Sequence, residues 1–319
     1  MKKVRRGGLP RIRAMSRRAF LAAAAAFSLA ACQTVPAPAP APAEPPPPPP
    51  PPPPPVPRRL PRLGLALGGG AARGFAHIGV IQVLEEAGIR PDLVVGTSAG
   101  SLVAALYAHG KTGTELAAMA LTMDEGAITD WAFPSRGLIR GEALARYVRE
   151  QTGNQLIEQM KLPLGIVATD LDSGAGVLFR RGDTGTAVRA SSSVPAVFQP
   201  VRIGEREYVD GGLVSPVPVR YAREMGAEMV VAVDISSPPD GAATDGTMRL
   251  LLQTFAIMGK SINRFELREA DVVLRPALVG VSSADFTSRV RAIRAGREKA
   301  AEMLPEIRSK LQALARPAG

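Results

Sequence analysis

Residues 93–110 read LVVGTSAGSLVAALYAHG, in which a glycine-flanked serine separates two apolar runs. The first run predicts a short buried strand at Leu93–Val95, because it is apolar throughout and ends at a glycine. The second run predicts a helix at Ser101–His109 that stops before Gly110. A strand followed at once by a helix is the repeating unit of an α/β protein.

The same alternation continues on both sides of this stretch. It predicts an α/β fold of three α/β/α layers, with a mainly parallel central sheet between helices on both faces. The expected strands are 62–68, 93–95, 163–171, 176–182, 228–236 and 270–278, and the expected helices are 74–88, 101–109, 141–152, 215–226 and 285–315, the last as one or two helices.

The serine in this turn is a candidate nucleophile. Gly96 and Gly100 flank Ser98 in a G-x-S-x-G pattern, and a tight strand-to-helix turn needs glycine where the backbone approaches closely. The turn would expose Ser98 Oγ above the sheet and at a helix N-terminus, which favours developing negative charge. An ordinary glycine-serine turn is the alternative, and the flanking strand and helix favour the nucleophile.

A nucleophilic serine needs a base, and the two histidines are poorly placed for that role. His109 ends the helix after Ser98, roughly 16 Å along its axis, and His77 lies early in the helix after a glycine loop. A Ser-His-Asp triad is therefore disfavoured, and a serine–carboxylate pair is the better hypothesis. The leading carboxylate is Asp210, which follows a short strand-like run and precedes Gly211 and Gly212. The rival carboxylates are Asp170, Asp172 and Asp234.

A second glycine-rich turn, GGGAARG at 68–74, follows the first predicted strand. Such a loop can hold either a phosphate group or an oxyanion. A nucleotide-binding oxidoreductase would use it for a dinucleotide, and Tyr107 and Lys111 form a Tyr-x-x-x-Lys pattern. That pair follows the glycine loop too closely for the arrangement found in short-chain dehydrogenases. The second strand also ends without an acidic residue that would bind the ribose of a dinucleotide. The oxyanion reading is therefore preferred.

Four blocks in this order resemble the patatin-like phospholipases: GGGAARG at 68–74, GTSAG at 96–100, ASSSVPAVFQP at 190–200 and DGGLVSPVPV at 210–219. The resemblance implies a patatin-like fold with Ser98 as nucleophile and Asp210 as general base. We expect neither cofactor nor metal, because the sequence has no Cys/His cluster of zinc spacing and the serine–aspartate pair needs no cation. The resemblance also implies an oxyanion hole in the glycine loop, with the amides of Gly69 and Gly70 as preferred donors. The candidate loop residues are Gly68, Gly69, Gly70, Ala71, Arg73 and Gly74.

Two positions depart from the usual family pattern. Many members carry glycine at the position of Ala71 and asparagine at the position of Ser215. Arg73 would either orient the loop or meet a substrate phosphate. The region 121–140 holds Trp131 and is a candidate lid, with a buried loop anchor as the favoured alternative.

The basic charge is concentrated in a predicted leader. The formal net charge is +10, but residues 1–31 hold eight basic and no acidic residues, so the remainder is near +2. Nucleic-acid binding is therefore not expected. Two arginines precede an apolar run too short to span a bilayer, which predicts a twin-arginine signal peptide at 1–31. It ends in LAAC, so Cys32 is the expected lipidation site.

A proline-rich linker follows at residues 32–61 and includes eleven consecutive prolines. In the polyproline II conformation these would span roughly 34 Å, which suits a spacer between a membrane and the hydrolase domain predicted at 62–319. We expect an exported lipoprotein of the outer membrane facing the periplasm, which hydrolyses lipid or phospholipid esters. The alternative is a catalytically silent surface lipoprotein of the same fold.

Overall fold

A central β-sheet organises the part of the chain that the computed structural model describes, which comprises residues 58–128, 130, 136–236, 246–281 and 286–317. The predicted signal peptide, Cys32 and most of the proline-rich linker lie outside these residues. The strands are β1 (Arg58–Arg59), β2 (Leu63–Leu67), β3 (Leu93–Thr97), β4 (Gly137–Ile139), β5 (Leu164–Asp170), β6 (Gly176–Phe179), β7 (Ala196–Phe198), β8 (Val201–Ile203), β9 (Arg206–Asp210), β10 (Met229–Val233), β11 (Val272–Leu274) and β12 (Arg316–Pro317). The helices are α1 (Phe75–Glu86), α2 (Ala99–His109), α3 (Gly113–Thr122), α4 (Glu142–Gln151), α5 (Thr184–Ser191), α6 (Val219–Glu224), α7 (Thr247–Glu266) and α8 (Arg289–Ala313).

The main sheet has the strand order β11-β10-β2-β3-β5-β9-β8 in the described part of the chain, and β6 also pairs with β5. The five strands from β11 to β5 are mutually parallel. Strands β6, β8 and β9 pair in the antiparallel sense. The expected α/β class with a mainly parallel sheet is confirmed.

Alternate residues of the parallel strands enter two separate hydrophobic cores, because successive side chains of a strand point to opposite faces. Leu65 and Val94 pack into the larger core with residues of α1, α2 and α8. Ala66 and Val95 pack on the other face with residues of α6. Helices therefore cover both faces, and the expected three-layer arrangement is confirmed.

Helices α1 and α8 cross in direct backbone contact. A Cβ atom on Gly79 of α1 would lie 2.0 Å from the carbonyl oxygen of Ile293, and one on Gly296 of α8 would lie 2.0 Å from that of Ala76. Side chains at these two positions would push the helices apart. The two glycines thus let the last long helix pack against the helix that follows the glycine loop.

One expected helix is shorter than predicted, the last expected segment is a single helix, and one helix was not expected. The helix expected at 215–226 is only Val219–Glu224, because Pro216 and Pro218 lack the N–H groups that an earlier start would require. The 285–315 segment forms one helix in its described residues, α8, and Pro305 lies within it. Helix α7 was not expected, because only Asn263 and Glu266 of its residues are buried and no apolar stripe faces the core.

Candidate active site

Ser98 lies in the turn between β3 and α2, with φ 54° and ψ −125°. A positive φ is strained for a residue with a Cβ atom, at a cost of roughly 1–3 kcal/mol. A Cβ on Gly100 would lie 2.1 Å from the Leu67 carbonyl oxygen, and one on Gly96 would lie 2.4 Å from the Gly100 carbonyl oxygen. The turn therefore requires glycine at both expected positions and holds Ser98 in a strained conformation.

Strand β5 brings Asp210 next to Ser98. Thr97 of β3 pairs with Val167, and Asp210 of β9 pairs with Ala168, the next residue of β5. Strand β6 occupies the opposite edge of β5 at both positions, so β3 and β9 lie end to end along the same edge. The residue that follows Thr97 and the last residue of β9 therefore meet.

The Asp210 side chain is buried and only partly hydrogen-bonded. Its Oδ1 accepts a hydrogen bond of 2.6 Å from the Gly212 amide, and its Oδ2 has no partner of ordinary hydrogen-bond geometry among the described residues. Burial raises the pKa of Asp210 to about 6, opposed by the nearby Ser98 hydroxyl and the Gly212 amide. This carboxylate can accept a proton from Ser98 near neutral pH.

The two expected turn glycines both serve Asp210. Gly212 supplies the amide that binds Oδ1. A Cβ on Gly211 would lie 2.2 Å from the Val167 carbonyl oxygen, so glycine is needed for the chain to turn tightly after β9.

Two serines from the 190–200 block position the pair, and their roles were missed at the sequence level. Ser191 Oγ accepts a 2.9 Å hydrogen bond from the Ser98 amide and donates one of 2.5 Å to the Val167 carbonyl. The Ser193 carbonyl accepts a 2.9 Å hydrogen bond from the Asp210 amide. For Ser191 the signal was the ASSSVP run itself, since buried serine hydroxyls bond to neighbouring backbone. The Ser193 contact uses its main-chain carbonyl and had no such signal.

The glycine loop lies beside Ser98, but two of its amides are already used. A Cβ on Gly69 would lie 3.1 Å from Ser98 Cβ. The Gly68 amide donates to the Val233 carbonyl at 3.1 Å and the Gly69 amide to the Pro216 carbonyl at 2.9 Å. Neither amide is free to bind an oxyanion in this structure, which disfavours the expected Gly69 donor and the inclusion of Gly68. The remaining candidates are the amides of Gly70 and Ala71, which make no hydrogen bond within the described residues.

The expected departure at Ala71 has a conformational consequence. Ala71 has φ 49°, a left-handed conformation that glycine adopts at no steric cost. A glycine at this position, as the family resemblance leads us to expect, would relieve that strain. The alanine thus keeps the loop shape but stores some strain beside Ser98.

Arg73 and His77 hold the glycine loop from inside the protein. Arg73 is buried and its Nη2 donates to the Leu278 carbonyl at 3.4 Å. His77 Nε2 lies 2.8 Å from the Gly68 carbonyl oxygen, and burial lowers the pKa of His77 to about 4, so the neutral ring donates this bond. Arg73 therefore orients the loop, and contact with a substrate phosphate is not supported.

The other candidate bases are engaged elsewhere. Asp170 forms an ion pair with Arg206, and the pKa of Asp170 is lowered to about 2 by that pairing and by backbone hydrogen bonds. Asp234 forms an ion pair with Arg275 at 3.2 Å. His109 Nδ1 lies 2.9 Å from Gln155 Oε1. Asp172, the remaining rival, is exposed.

A largely apolar cavity of about 530 Å³ opens at Ser98. Its volume lies in the range of ordinary small-molecule sites, roughly 300–1,000 Å³. Leu102 and Leu106 of α2 form part of its wall, and Phe75 and Phe286 meet edge to face with ring centroids 6.1 Å apart. Ala71 and Gly74 of the glycine loop also line it.

The 121–140 segment contributes to the same cavity. Met123, Ile128 and Ile139 line it, while Trp131 and Phe133 lie outside the described residues. Asp130 accepts a hydrogen bond of 2.7 Å from the Gly141 amide, just before α4. The described ends of this segment thus form a side wall that is tied to α4.

Comparisons with known proteins show what the chain is similar to. Residues 65–223 match the family described as patatin-like phospholipase. An uncharacterized NTE family protein of Mycobacterium tuberculosis is 38% identical over 188 residues, which cover 58% of this chain and 52% of that protein. Patatin-like phospholipase domain-containing protein 6 of Mus musculus is 34% identical over 183 residues, 55% of this chain and 14% of that protein.

A structural comparison supports the same fold. VipD from Legionella pneumophila superposes with a TM-score of 0.53 at 14% identity, covering 77% of this chain and 67% of that one. The chain spans about half the length of the mycobacterial relatives it matches. From the family match, we conclude that this chain carries a domain of the patatin-like phospholipase family at residues 65–223.

Proposed function

We propose that this protein is a serine acyl hydrolase that cleaves ester bonds of lipids, including phospholipids. The observation that carries the proposal is the apolar cavity that opens at Ser98, beside the buried carboxylate of Asp210. An apolar cavity suits an acyl chain, and a serine with an adjacent base suits attack on the ester carbon at its end.

The proposed reaction has two steps. Ser98 Oγ attacks the ester carbonyl carbon while its proton passes to Asp210 Oδ2, and the tetrahedral intermediate expels the alcohol, which takes that proton. Water then attacks the acyl-serine, again giving a proton to Asp210, and Ser98 leaves with the proton returned.

The oxyanion of both intermediates needs hydrogen-bond donors. The amides of Gly70 and Ala71 are the best candidates in the loop, because those of Gly68 and Gly69 bind other carbonyl oxygens. The N-terminus of α2 adds a favourable dipole at the same point. Loss of one such donor typically lowers the rate by about 10²–10³.

The test is hydrolysis of a short-chain nitrophenyl ester by the full chain and its variants. Ser98→Ala should lose at least about 10³-fold in kcat/KM, whereas Ser261→Ala, at an exposed serine of α7, should match the parent. Labelling by a fluorophosphonate should place the adduct on Ser98. Equal activity of parent and Ser98→Ala would overturn the proposal, and a folded but unreactive parent would favour the silent lipoprotein.

Asp210→Asn tests the base. It should lower kcat/KM as strongly as Ser98→Ala, while Asp172→Asn, which neutralises an exposed carboxylate, should retain parent activity. Products from phospholipids and lysophospholipids, resolved by mass spectrometry, would identify the preferred ester and head group. Near-normal turnover of Asp210→Asn would assign the base elsewhere.

We also propose that the chain is exported and anchored to the outer membrane through lipidated Cys32. The support is the LAAC sequence after a short apolar run and the proline-rich spacer behind it. Metabolic labelling with an alkyne fatty acid should mark the parent and not Cys32→Ser. Incorporation by Cys32→Ser equal to that of the parent would contradict the anchor.

A further inference from the structure

Helix α7 presents an unusual apolar surface to solvent. It runs for 20 residues, Thr247–Glu266. Its most exposed large apolar side chains are Leu250 at 55%, Ile257 at 51%, Met258 at 44% and Phe265 at 68%. Side chains of this size and type are normally buried, so their exposure along one helix calls for an explanation.

These four residues lie on one side of α7. Their spacing of seven, one and seven residues returns to the same side of a helix with 3.6 residues per turn. In the C-terminal half of α7 the opposite side faces the protein. A Cβ atom on Gly259 would lie 3.5 Å from Pro216. The Asn263 amide donates to Ser236 Oγ at 3.0 Å. The apolar stripe is therefore the solvent face and not the packing face.

Basic residues border this stripe. Arg249, Lys260 and Arg264 are exposed and lie eleven and four residues apart, which places them along one flank of the stripe. None of them forms an ion pair with another described residue. The sole acidic residue of α7, Glu266, is buried. The solvent face is thus apolar and positively charged.

We propose that α7 is an interfacial helix that docks this protein on the surface of an anionic lipid bilayer. An apolar face beside Lys and Arg is the pattern of helices that lie in the headgroup region. In the described part of the chain no helix is both long and apolar enough to cross a membrane. We favour a bilayer over a protein partner because the positive charge of the solvent face complements anionic headgroups. This inference rests on the proposed function, in which the substrate is a lipid.

The position of α7 connects docking with the candidate active site. The helix contacts the short 211–213 segment that directly follows Asp210. Glu266, on the protein-facing side of α7, accepts a hydrogen bond from the Ser215 hydroxyl. Docking through the exposed stripe would therefore hold the candidate active site close to the lipid surface.

The experiment measures binding of the full chain to vesicles of phosphatidylcholine, with and without 30% phosphatidylglycerol. All proteins carry Cys32→Ser, so that an acyl anchor does not mask binding. The apolar variant combines Leu250→Ser, Ile257→Ser and Phe265→Ser, and the charge variant combines Arg249→Gln, Lys260→Gln and Arg264→Gln. The control combines Val290→Ser and Leu314→Ser, which replace exposed apolar residues of α8 and the residue that follows it.

The parent and the control should bind the anionic vesicles alike. The apolar variant should bind more than tenfold more weakly, and the charge variant should lose about fivefold in affinity for each cation removed. Unchanged melting temperatures would show that the variants fold. Absence of vesicle binding by the parent, or equal binding by all variants, would overturn the proposal.

Two further readings separate the possibilities. If the parent does not bind vesicles and the variants differ from it in oligomeric state, as measured by light scattering, α7 is a protein interface and the proposal is wrong. A parent that binds vesicles but hydrolyses no ester would contradict the proposed function and leave docking standing. A parent that hydrolyses esters but does not bind vesicles would contradict the docking proposal and leave the proposed function standing.

Discussion

The hydroxyl of Ser215 donates a hydrogen bond to Oε1 of the buried Glu266 side chain. The carbonyl oxygen of the same serine accepts a hydrogen bond of 2.9 Å from Thr97 Oγ1, and Thr97 directly precedes Ser98. Two hydrogen bonds thus connect α7 with the turn of the candidate nucleophile. Ser215 is one of the two positions noted above as departures from the usual family pattern, and its hydroxyl makes the link to Glu266.

We predict that Glu266→Gln reduces the pH dependence of stability. Burial raises the pKa of Glu266 to about 7, opposed by Ser215 and Arg220. The folded protein then binds more protons than the unfolded chain between about pH 4.5 and 7, so the free energy of unfolding falls as pH rises through this window. The contribution is up to about 3 kcal/mol at pH 8.

Urea unfolding of the parent and of Glu266→Gln at pH 5 and pH 8 measures this effect. The parent should lose more stability between the two pH values than the variant does. Equal losses in the two proteins would show that Glu266 titrates normally. Glu306→Gln, at an exposed carboxylate of α8, is the control.

We predict that activity rises with pH through the pKa of Asp210. A general base must be deprotonated, and burial raises the pKa of Asp210 to about 6. The value of kcat/KM for a soluble nitrophenyl ester should therefore be half-maximal near pH 6 and should level off above pH 7. An acid limb centred near pH 4 would indicate an unperturbed carboxylate and contradict this assignment.

We predict that Asp210→Asn stabilises the fold while it removes activity. The buried carboxylate costs folding free energy once it is ionised, because its folded-state pKa of about 6 lies above the ordinary aspartate pKa of 3.8. The penalty appears as pH rises from about 4 to 6 and amounts to about 2–3 kcal/mol at pH 8. The asparagine keeps an oxygen for the Gly212 amide and carries no charge.

Thermal and urea unfolding at pH 5 and pH 8 check this prediction. The variant should gain more over the parent at pH 8 than at pH 5. A lower stability than the parent at pH 8 would mean that the charged form is favoured in the folded protein.

We predict opposite effects for two glycine-to-alanine substitutions in helices. Gly79→Ala would place a methyl group 2.0 Å from the Ile293 carbonyl oxygen and 2.7 Å from the Arg297 amide. Forcing α1 and α8 apart should cost about 3 kcal/mol. Gly259→Ala meets Pro216 at an ordinary 3.5 Å and should gain about 0.5–1 kcal/mol from lower backbone entropy in the unfolded chain. Urea unfolding of both variants compares the two signs, and destabilisation by both would contradict the packing argument.

We predict that Leu106→Trp shortens the acyl chain that the cavity accepts. Leu106 lies on α2 roughly 12 Å along the helix from Ser98 and lines the cavity. The larger side chain should fill space far from Ser98, lowering kcat/KM at least tenfold for a laurate ester and less than threefold for a butyrate ester. Leu106→Met, which conserves volume, is the control. Equal losses on both esters would place the acyl chain elsewhere.

Local sequence signals predicted the two turns of the site, and long-range pairing decided the rest. The glycines around Ser98 and the 68–74 loop each follow a strand and precede a helix, so their neighbours alone define them. Two long-range contacts could not be predicted from residues that are adjacent in the sequence. One is the end-to-end placement of β3 and β9 along β5, which joins Ser98 to Asp210. The other is the acceptor of the Gly69 amide, which is the distant Pro216 carbonyl.

Helix α7 escaped the sequence interpretation for a physical reason. Apolar periodicity predicts a helix when the apolar stripe faces the core. In α7 the stripe at 250, 257, 258 and 265 faces solvent, and small or polar residues such as Gly259 and Asn263 face the protein. The pattern therefore did not indicate a buried helix.

At position 98 the positive φ favours glycine for folding, whereas the proposed reaction requires serine. Glycine would occupy φ 54°, ψ −125° more easily than any residue with a Cβ atom. A Ser98→Gly substitution would therefore produce a protein that is at least as stable as the parent and cannot form an acyl-enzyme. On the proposed mechanism, the reaction favours serine at this position and the backbone conformation favours glycine, so the two requirements are separable by one substitution.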